Sequence, residues 1–328
     1  MDVPYLVQLG ETIRTGLLSL PTEAVERHAA FFRSRQTSDG GFSGRDVDLN
    51  GNPLFEDGTQ SDLYYTSFAL RGLFSLGRVD EQTGQRAARF LTSPAGQPRS
   101  IVDLISWLSA GFILQLSTGI DLLQAAATDW PQQLADQFEL CRTADGGYAK
   151  NPSGGSGSTY HSFLIVCCYE LLNLPIRDPD RLLDFVRQRQ RDDGGFVEIA
   201  PMRQSGTNPT AAAVALLKIL NGLDDSIAQQ VLEFLEEVRG DDGGYQANTR
   251  IPFSDMLSTF TGIVTSLDLN RPEAIAWKRG QRFLKELQSP QGGYLAAAWD
   301  HSPDVEYSFY GLGTRGLLEH LNAKERQQ

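Results

Sequence analysis

Five times along this chain a pair of glycines is followed at once by an aromatic residue: Gly40-Gly41-Phe42, Gly146-Gly147-Tyr148, Gly194-Gly195-Phe196, Gly243-Gly244-Tyr245 and Gly292-Gly293-Tyr294. Aspartate precedes the first four pairs, and Gln291 precedes the fifth. The first glycines lie 106, 48, 49 and 49 residues apart, so the long first interval predicts a sixth, degenerate copy at Ser93-Pro94-Ala95-Gly96. A period of this length means tandem supersecondary units, none of which buries its apolar face alone.

Each motif sits between two runs of different character. Ahead of it lies an amphipathic run with charged positions, from Thr22 to Gln36, Glu81 to Leu91, Pro131 to Cys141, Pro179 to Gln190, Ser226 to Arg239 and Pro272 to Gln288. Such runs read as outer helices with one solvated face. After a polar loop comes a more uniformly apolar run, from Leu63 to Leu76, Val102 to Leu116, Thr159 to Leu172, Pro209 to Leu220, Met256 to Leu267 and Val305 to Leu321. These read as inner helices buried on more than one side. The glycines suit a turn that needs positive φ or a close backbone approach, and the aromatic anchors it.

The expected fold is therefore all-α, an (α/α)6 toroid of six helix-pair repeats forming a single domain over residues 1–328. The repeats fall at about 21–77, 80–118, 126–174, 177–222, 224–269 and 271–321. Closure into a ring would spare the terminal repeats an exposed apolar face.

Composition narrows the function. Hydrophobic residues make up 41% and charged residues 21%, enough apolar material for a large core. A net charge of -12 opposes nucleic acid and anionic membrane faces. Three cysteines, Cys141, Cys167 and Cys168, are odd in number with two adjacent, which suits core thiols in a reducing compartment. Asp2, Glu11 and Arg14 interrupt the opening residues, so no leader is expected. The apolar stretches near Ile101 to Leu116 and Phe163 to Leu172 are short or carry Asp103 and Glu170, so no membrane span is expected either. The chain reads as cytoplasmic. The loop from Asn151 to Ser158 lacks the lysine and strand of a phosphate cradle and reads as a flexible connector. Asp46-Val47-Asp48-Leu49-Asn50-Gly51 echoes a calcium loop without its closing Glu and reads as a turn.

Asp-Gly-Gly-aromatic at this period, followed by a loop and an apolar helix, resembles the repeat of prenyltransferase β subunits and squalene-type cyclases, from about Thr22 to Leu321. The resemblance implies six inner helices around an aromatic-lined cavity that holds isoprenoid chains. It implies two chemistries. Protein prenyltransferases hold zinc through Asp-x-Cys at the fifth inner-helix start and a His three residues after the Asp of the sixth; those positions read Asp255, Leu257 and Tyr307. One carboxylate does not make a zinc site, so no metal and no cofactor are expected. The family's basic diphosphate positions fall near Ser158, Gly206, Thr249 and Pro252, with Arg203 and Arg250 close enough to swing inward.

Class II cyclases protonate a polyene from the third position of an Asp-x-Asp-Asp motif at an inner-helix start. Asp304-Val305-Glu306-Tyr307-Ser308 resembles it, with Glu306 as general acid and Asp304 as the neighbour that raises its pKa. Two residues depart from the pattern: Glu306 replaces Asp, and Tyr307 replaces the second Asp.

The expected cavity residues are Asp62, Tyr65, Phe68, Asp103, Trp107, His161, Asp255, Phe260, Tyr307 and Phe309, with Phe163 and Tyr310 beside them. Asp62, Asp103, Asp255 and Asp304 are also expected to cap the inner helices. The leading reading is a toroid binding an isoprenoid or other long apolar small molecule without the zinc-dependent prenylation site. The alternatives are a cyclase-like enzyme using Glu306, and a non-catalytic scaffold pairing with a separate helical subunit. The sequence leaves open whether the protein is an enzyme.

Overall fold

A computed structural model describes residues 3–45, 61–124 and 127–325. The calcium-loop echo at 46–51 lies outside them. Among the described residues there are thirteen α-helices, one more than six pairs: α1 (Tyr5–Leu17), α2 (Thr22–Ser34), α3 (Leu63–Ser75), α4 (Glu81–Thr92), α5 (Ile101–Thr118), α6 (Trp130–Glu139), α7 (Thr159–Leu171), α8 (Pro179–Arg187), α9 (Thr207–Ile219), α10 (Asp225–Glu237), α11 (Met256–Asp268), α12 (Trp277–Leu287) and α13 (Val305–Glu325). Among the described residues the sole sheet is a two-residue antiparallel pair, β1 (Tyr245–Gln246) with β2 (Ser254–Asp255). The even-numbered helices are the amphipathic outer ones. The unpredicted helix is α1, which precedes the repeats and carries no glycine turn.

The helices divide into two packing units, Met1–Leu9 with Ala127–Gly280, and Gly10–Ala126 with Gln281–Gln328. In the first, α9 packs between α7 and α11. In the second, α3 packs between α5 and α13, so the last repeat lies against the first. The 18-residue α5 is long and apolar enough to cross a membrane by length and composition, with mean hydropathy 1.4, and it packs on α3 and α4.

The repeat turn explains why its residues recur. The aromatics Phe42, Tyr148, Phe196, Tyr245 and Tyr294 are all buried. Each makes bridge or strand pairing both with the residue leaving the outer helix and with the residue at the inner-helix start, as in Gln190, Phe196 and Gly206. Each aromatic N–H also donates to a hydroxyl one turn into the inner helix, at 2.9 Å in every case: Thr66, Ser162, Thr210, Thr259 and Ser308. Burying such a ring is worth about 2–3 kcal/mol and the hydrogen bond about 1, so the ring anchors and the bond sets the register.

Gly194 (φ 82°) and Gly292 (φ 101°) show why no side chain fits. A Cβ there would stand 2.2 Å from the carbonyl oxygen of Gln230 on α10 and 2.4 Å from that of Arg27 on α2. The five glycine-pair turns are each pressed onto the next outer helix, and Gly292 presses the sixth repeat onto the first, whereas the degenerate turn at Gly96 packs on its own α4.

The aspartates before the glycines tie the loop. Asp193 accepts from Gly195 N and Ser205 Oγ, and Asp242 from Gly244 N and Ser254 Oγ. Asp145 accepts from Ser156 Oγ and Gly157 N and pairs with the buried Arg189. The end of the loop closing at Ser158 is thus anchored at Ser156 and Gly157. Where Gln291 replaces Asp, His28 of α2 takes over: its Nδ1 accepts from Gly293 N at 3.1 Å, and its ring stacks on Tyr294. The degenerate copy at Ser93–Gly96 is a 3₁₀ turn over Pro94–Gly96, capped by Ser93, with no positive φ.

The cysteines are buried thiols, and burial raises the Cys168 pKa far above its usual value. At the far ends of the inner helices in the first unit, Tyr5 Oη donates to Asp268 Oδ2 at 2.7 Å, and Lys218 reaches Oδ1 at 2.7 Å. This polar cluster seats the start of α1.

Candidate active site

Because the turn aromatic pairs with the residue before each inner helix, the repeat delivers a capping position at a fixed place. Asp62 and Asp255 cap through Oδ1 to Tyr65 N (2.7 Å) and Ser258 N (2.8 Å), and Asp304 Oδ1 accepts from Tyr307 N at 2.8 Å. Ser100 and Ser158 occupy the equivalent positions on α5 and α7, and Gly206 that on α9. Asp103 is not a cap. It is the third residue of α5, its own N–H held by the cap Ser100 while its Oδ2 accepts from Arg99 N, one residue before the cap, an arrangement close to a capping box that shifts the expected register by one turn.

The densest constellation lies in the second unit, on the first turns of α3 and α13. Aromatic rings run in contact from Tyr65 to Tyr64 (5.5 Å), Tyr64 to Phe68 (4.8 Å), and Phe68 to both Phe309 and Tyr310 (5.4 Å each). Tyr307 joins through Tyr310 at 6.4 Å. Phe68 is buried, while Tyr64, Phe309 and Tyr310 keep part of their surface exposed. The guanidinium of Arg71 stands over the Phe68 ring at 5.2 Å.

Glu306 projects into this aromatic group. Its Oε1 accepts from Tyr64 Oη at 2.6 Å, its sole hydrogen-bond partner among the described residues. Burial raises its pKa to about 7, with the Tyr64 bond opposing and the charges of Asp304 and Asp62 adding to the rise. The site thus favours the neutral carboxyl far more than water does. Burial, then Asp304 and Glu306, push Tyr65 up to about 12.

Asp304 has a different task. Its Oδ2 meets Arg45 Nε at 3.2 Å, and the same guanidinium grips buried Asp300 through two bonds of 3.0 and 2.9 Å. With Oδ1 on the cap, both oxygens of Asp304 are engaged. Its charge still acts on Glu306 from a fixed place.

The first unit holds Asp255, Phe260 and His161. Asp255 has both oxygens on Ser258, the second from its hydroxyl at 2.7 Å. Phe260 is buried in α11. His161 belongs to a relay: Ser158 Oγ accepts from His161 N, lies 2.8 Å from His161 Nδ1 and donates to Glu198 Oε1. With its one proton given to Glu198, the hydroxyl meets Nδ1 as an acceptor, so Nδ1 carries the hydrogen and Nε2 is bare. Nε2 is buried and makes no hydrogen bond among the described residues. Burial, then Lys150, lower the ring's pKa, so the imidazole is neutral.

The remaining candidates lie as follows. The Trp107 indole donates to Leu91 O at 3.0 Å, which turns the side chain toward α4. Phe163 is in edge contact with Tyr5 of α1 at 5.8 Å. Arg203 and Arg250 are exposed. The zinc positions do not fit the metal: Asp255 is fully engaged by its cap and Leu257 has no donor. Sequence reasoning missed Tyr64, Arg45, Asp300 and Glu198, whose partners lie 242, 259, 255 and 40 residues away in the chain.

Alternating outer and inner helices, joined in five repeats by glycine-aromatic turns, define a helical-repeat protein of the toroid class. The family model for the prenyltransferase alpha-alpha toroid domain matches residues 12–196 and 106–328, and the chain belongs to that family. No curated protein sequence matches it. Among solved structures, it is similar to Candida albicans protein geranylgeranyltransferase-I complexed with GGPP, with TM-score 0.65 and 16% identity over 88% of this chain and 90% of that one. It is similar to the type II terpene cyclase MstE from Scytonema, in complex with its product merosterolic acid A, with TM-score 0.54 and 14% identity over 98% and 100%. An α-1,6-mannanase from Salegentibacter shares the fold as well, with TM-score 0.60 and 12% identity over 91% and 99%.

Proposed function

We propose that the protein binds an isoprenoid or similarly long apolar small molecule against the aromatic wall of α3 and α13. The observation that carries this is the unbroken ring series from Tyr65 through Tyr64 and Phe68 to Phe309 and Tyr310, part-exposed on inner helices. Aromatic faces offer apolar area at little entropic cost and suit a polyene's π bonds. Support also comes from the fold's neighbours, one of which carries GGPP. Zinc-dependent thiol prenylation is not part of this reading, because Asp255 is engaged by Ser258 and Leu257 supplies no ligand. Titration with geranylgeraniol tests it. Wild-type protein is expected to bind, and Phe309→Ala to bind about tenfold more weakly. A wild-type protein that binds no prenyl alcohol overturns the reading.

A second reading is favoured by Glu306, namely proton-initiated cyclisation. A neutral carboxyl gives its proton to an alkene carbon; the O–H bond breaks, a C–H bond forms and a carbocation is left. Tyr64 then steadies the carboxylate, and the neighbouring rings face the cation. A proton lost from the product cation restores the balance. Glu306→Gln should bind a geranylgeranyl substrate and fail to turn it over; unchanged turnover removes Glu306 from the chemistry.

A further inference from the structure

Two neighbouring outer helices are sorted by charge. α10 carries Asp225, Glu233, Glu236 and Glu237 and no lysine or arginine, while α12 carries Lys278, Arg279, Arg282 and Lys285 against Glu286 alone. All of these side chains are exposed. The other outer helices differ. α2, α4 and α8 mix the two signs, and the acids of α6 are paired, Asp136 with Arg177 and Glu139 with Arg142. On α12, Lys278, Arg282 and Lys285 fall at i, i+4 and i+7 and share one face, and on α10 Glu233 and Glu237 stack at i, i+4. Among the described residues none of these five makes an ion pair, whereas Glu236 pairs with Arg239. Like charges one turn apart repel, so the sorting works against each helix by itself.

The two helices lie side by side. The turn after α10 is pressed on α12, where a Cβ on Gly243 would stand 2.5 Å from the Arg279 carbonyl oxygen, and Arg239 Nη2 donates to Ala274 O at 3.1 Å. That turn brings Asp241 and Asp242 beside Arg279, so Arg282 and Lys285, further along the helix, form the body of the positive face. We propose that α10 and α12 together form a two-fold interface with a second copy of this chain. Outer helices of successive repeats run the same way. A two-fold axis between them and along them lays α10 of each copy over α12 of the other, so acid meets base twice within one patch. Charge complementarity commits the patch to a second copy, because an acidic partner is repelled by α10 and a basic one by α12. Screening over about 10 Å lets this local match act against the net charge of -12. Two short helices bury less than about 1,200 Å², so the pairing is weak and reversible. Neither helix contributes to the aromatic wall, and the proposal is independent of the ligand reading.

Sedimentation velocity of the full chain at about 100 μM, high enough to populate a weak dimer, tests the proposal. The parent should be largely dimeric in about 0.1 M salt, and its association should weaken by about tenfold or more in about 0.5 M salt. A Lys278→Glu, Arg282→Glu, Lys285→Glu variant should be monomeric, and so should a separate Glu233→Lys, Glu237→Lys variant. Circular dichroism and thermal unfolding of both should match the parent. An equal mixture of the two should regain the dimer, since one is then acidic and the other basic on both helices. Carbodiimide cross-linking of mixed isotope-labelled and unlabelled parent should join Lys278 or Lys285 of one copy to Glu233 or Glu237 of the other, a readout that needs no variant. A parent that stays monomeric, a single variant that dimerises like the parent, a mixture that stays monomeric, cross-links confined to one copy, or species larger than a dimer would overturn the proposal.

Discussion

Tyr64 Oη donates to Glu306 Oε1 across 2.6 Å, tying the first turn of α3 to the first turn of α13. The bond favours the ionised carboxylate, so it lowers a pKa that burial has raised. Tyr64→Phe keeps the ring and removes the bond. The Glu306 pKa should then rise above about 7, read from the carboxyl carbon resonance in a pH titration. A fall, or no change, would mean the phenol does not hold the carboxyl.

Two buried groups should bend the stability curve in opposite directions. Burial lowers the His28 pKa from 6.5 to about 4, so the unfolded chain takes up a proton in that window that the folded chain refuses. Stability from neutral His28 is complete above about pH 6.5 and is lost toward pH 4, by about 3 kcal/mol. Glu306 is raised from 4.5 to about 7, so its contribution is complete below pH 4.5 and is lost as pH rises through 7. Because the two slopes oppose each other over much the same window, urea unfolding should show stability falling more steeply with rising pH in His28→Gln, and rising more steeply in Glu306→Gln, than in the parent.

Arg45→Met strands Asp300 and Asp304, whose side chains are nearly inaccessible. Removing one partner of a buried ion pair costs about 3–5 kcal/mol. The urea midpoint should drop accordingly. A variant as stable as the parent would show that the two carboxylates find protons or water.

The tautomer of His161 follows from one proton on Ser158. In Glu198→Gln the amide can donate to Ser158 Oγ, which frees the hydroxyl proton for His161 Nδ1. Nitrogen NMR should report hydrogen on Nδ1 in the parent and on Nε2 in the variant, with the fold unchanged. Hydrogen on Nε2 in the parent would contradict the relay.

How much of this was legible in the sequence depends on distance along the chain. The repeat, its glycines and the caps Asp62, Asp255 and Asp304 rest on local chemistry, where spacing and residue type suffice. Asp103 went astray by one turn because Ser100 caps as well as aspartate does, and a capping box disguises which residue begins the helix. The turn hydroxyls were present as a period, 14 residues after the aromatic in four repeats, though Ser and Thr rarely draw notice. α1 carries no glycine-aromatic mark, and its anchors Glu170 and Asp268 lie far downstream. The same is true of the site. Glu306 could be placed by resemblance, whereas Tyr64, Arg45 and Asp300 reach it or its neighbour only through tertiary packing.

The central claim is that an apolar chain lies on the wall formed by α3 and α13. Photocrosslinking with a diazirine-bearing geranylgeraniol, read by peptide mass spectrometry, tests it most directly. Label is expected on the segments Tyr64–Phe68 and Tyr307–Tyr310, displaced by unlabelled alcohol. Saturable label confined to other helices, or none that competes, would contradict it.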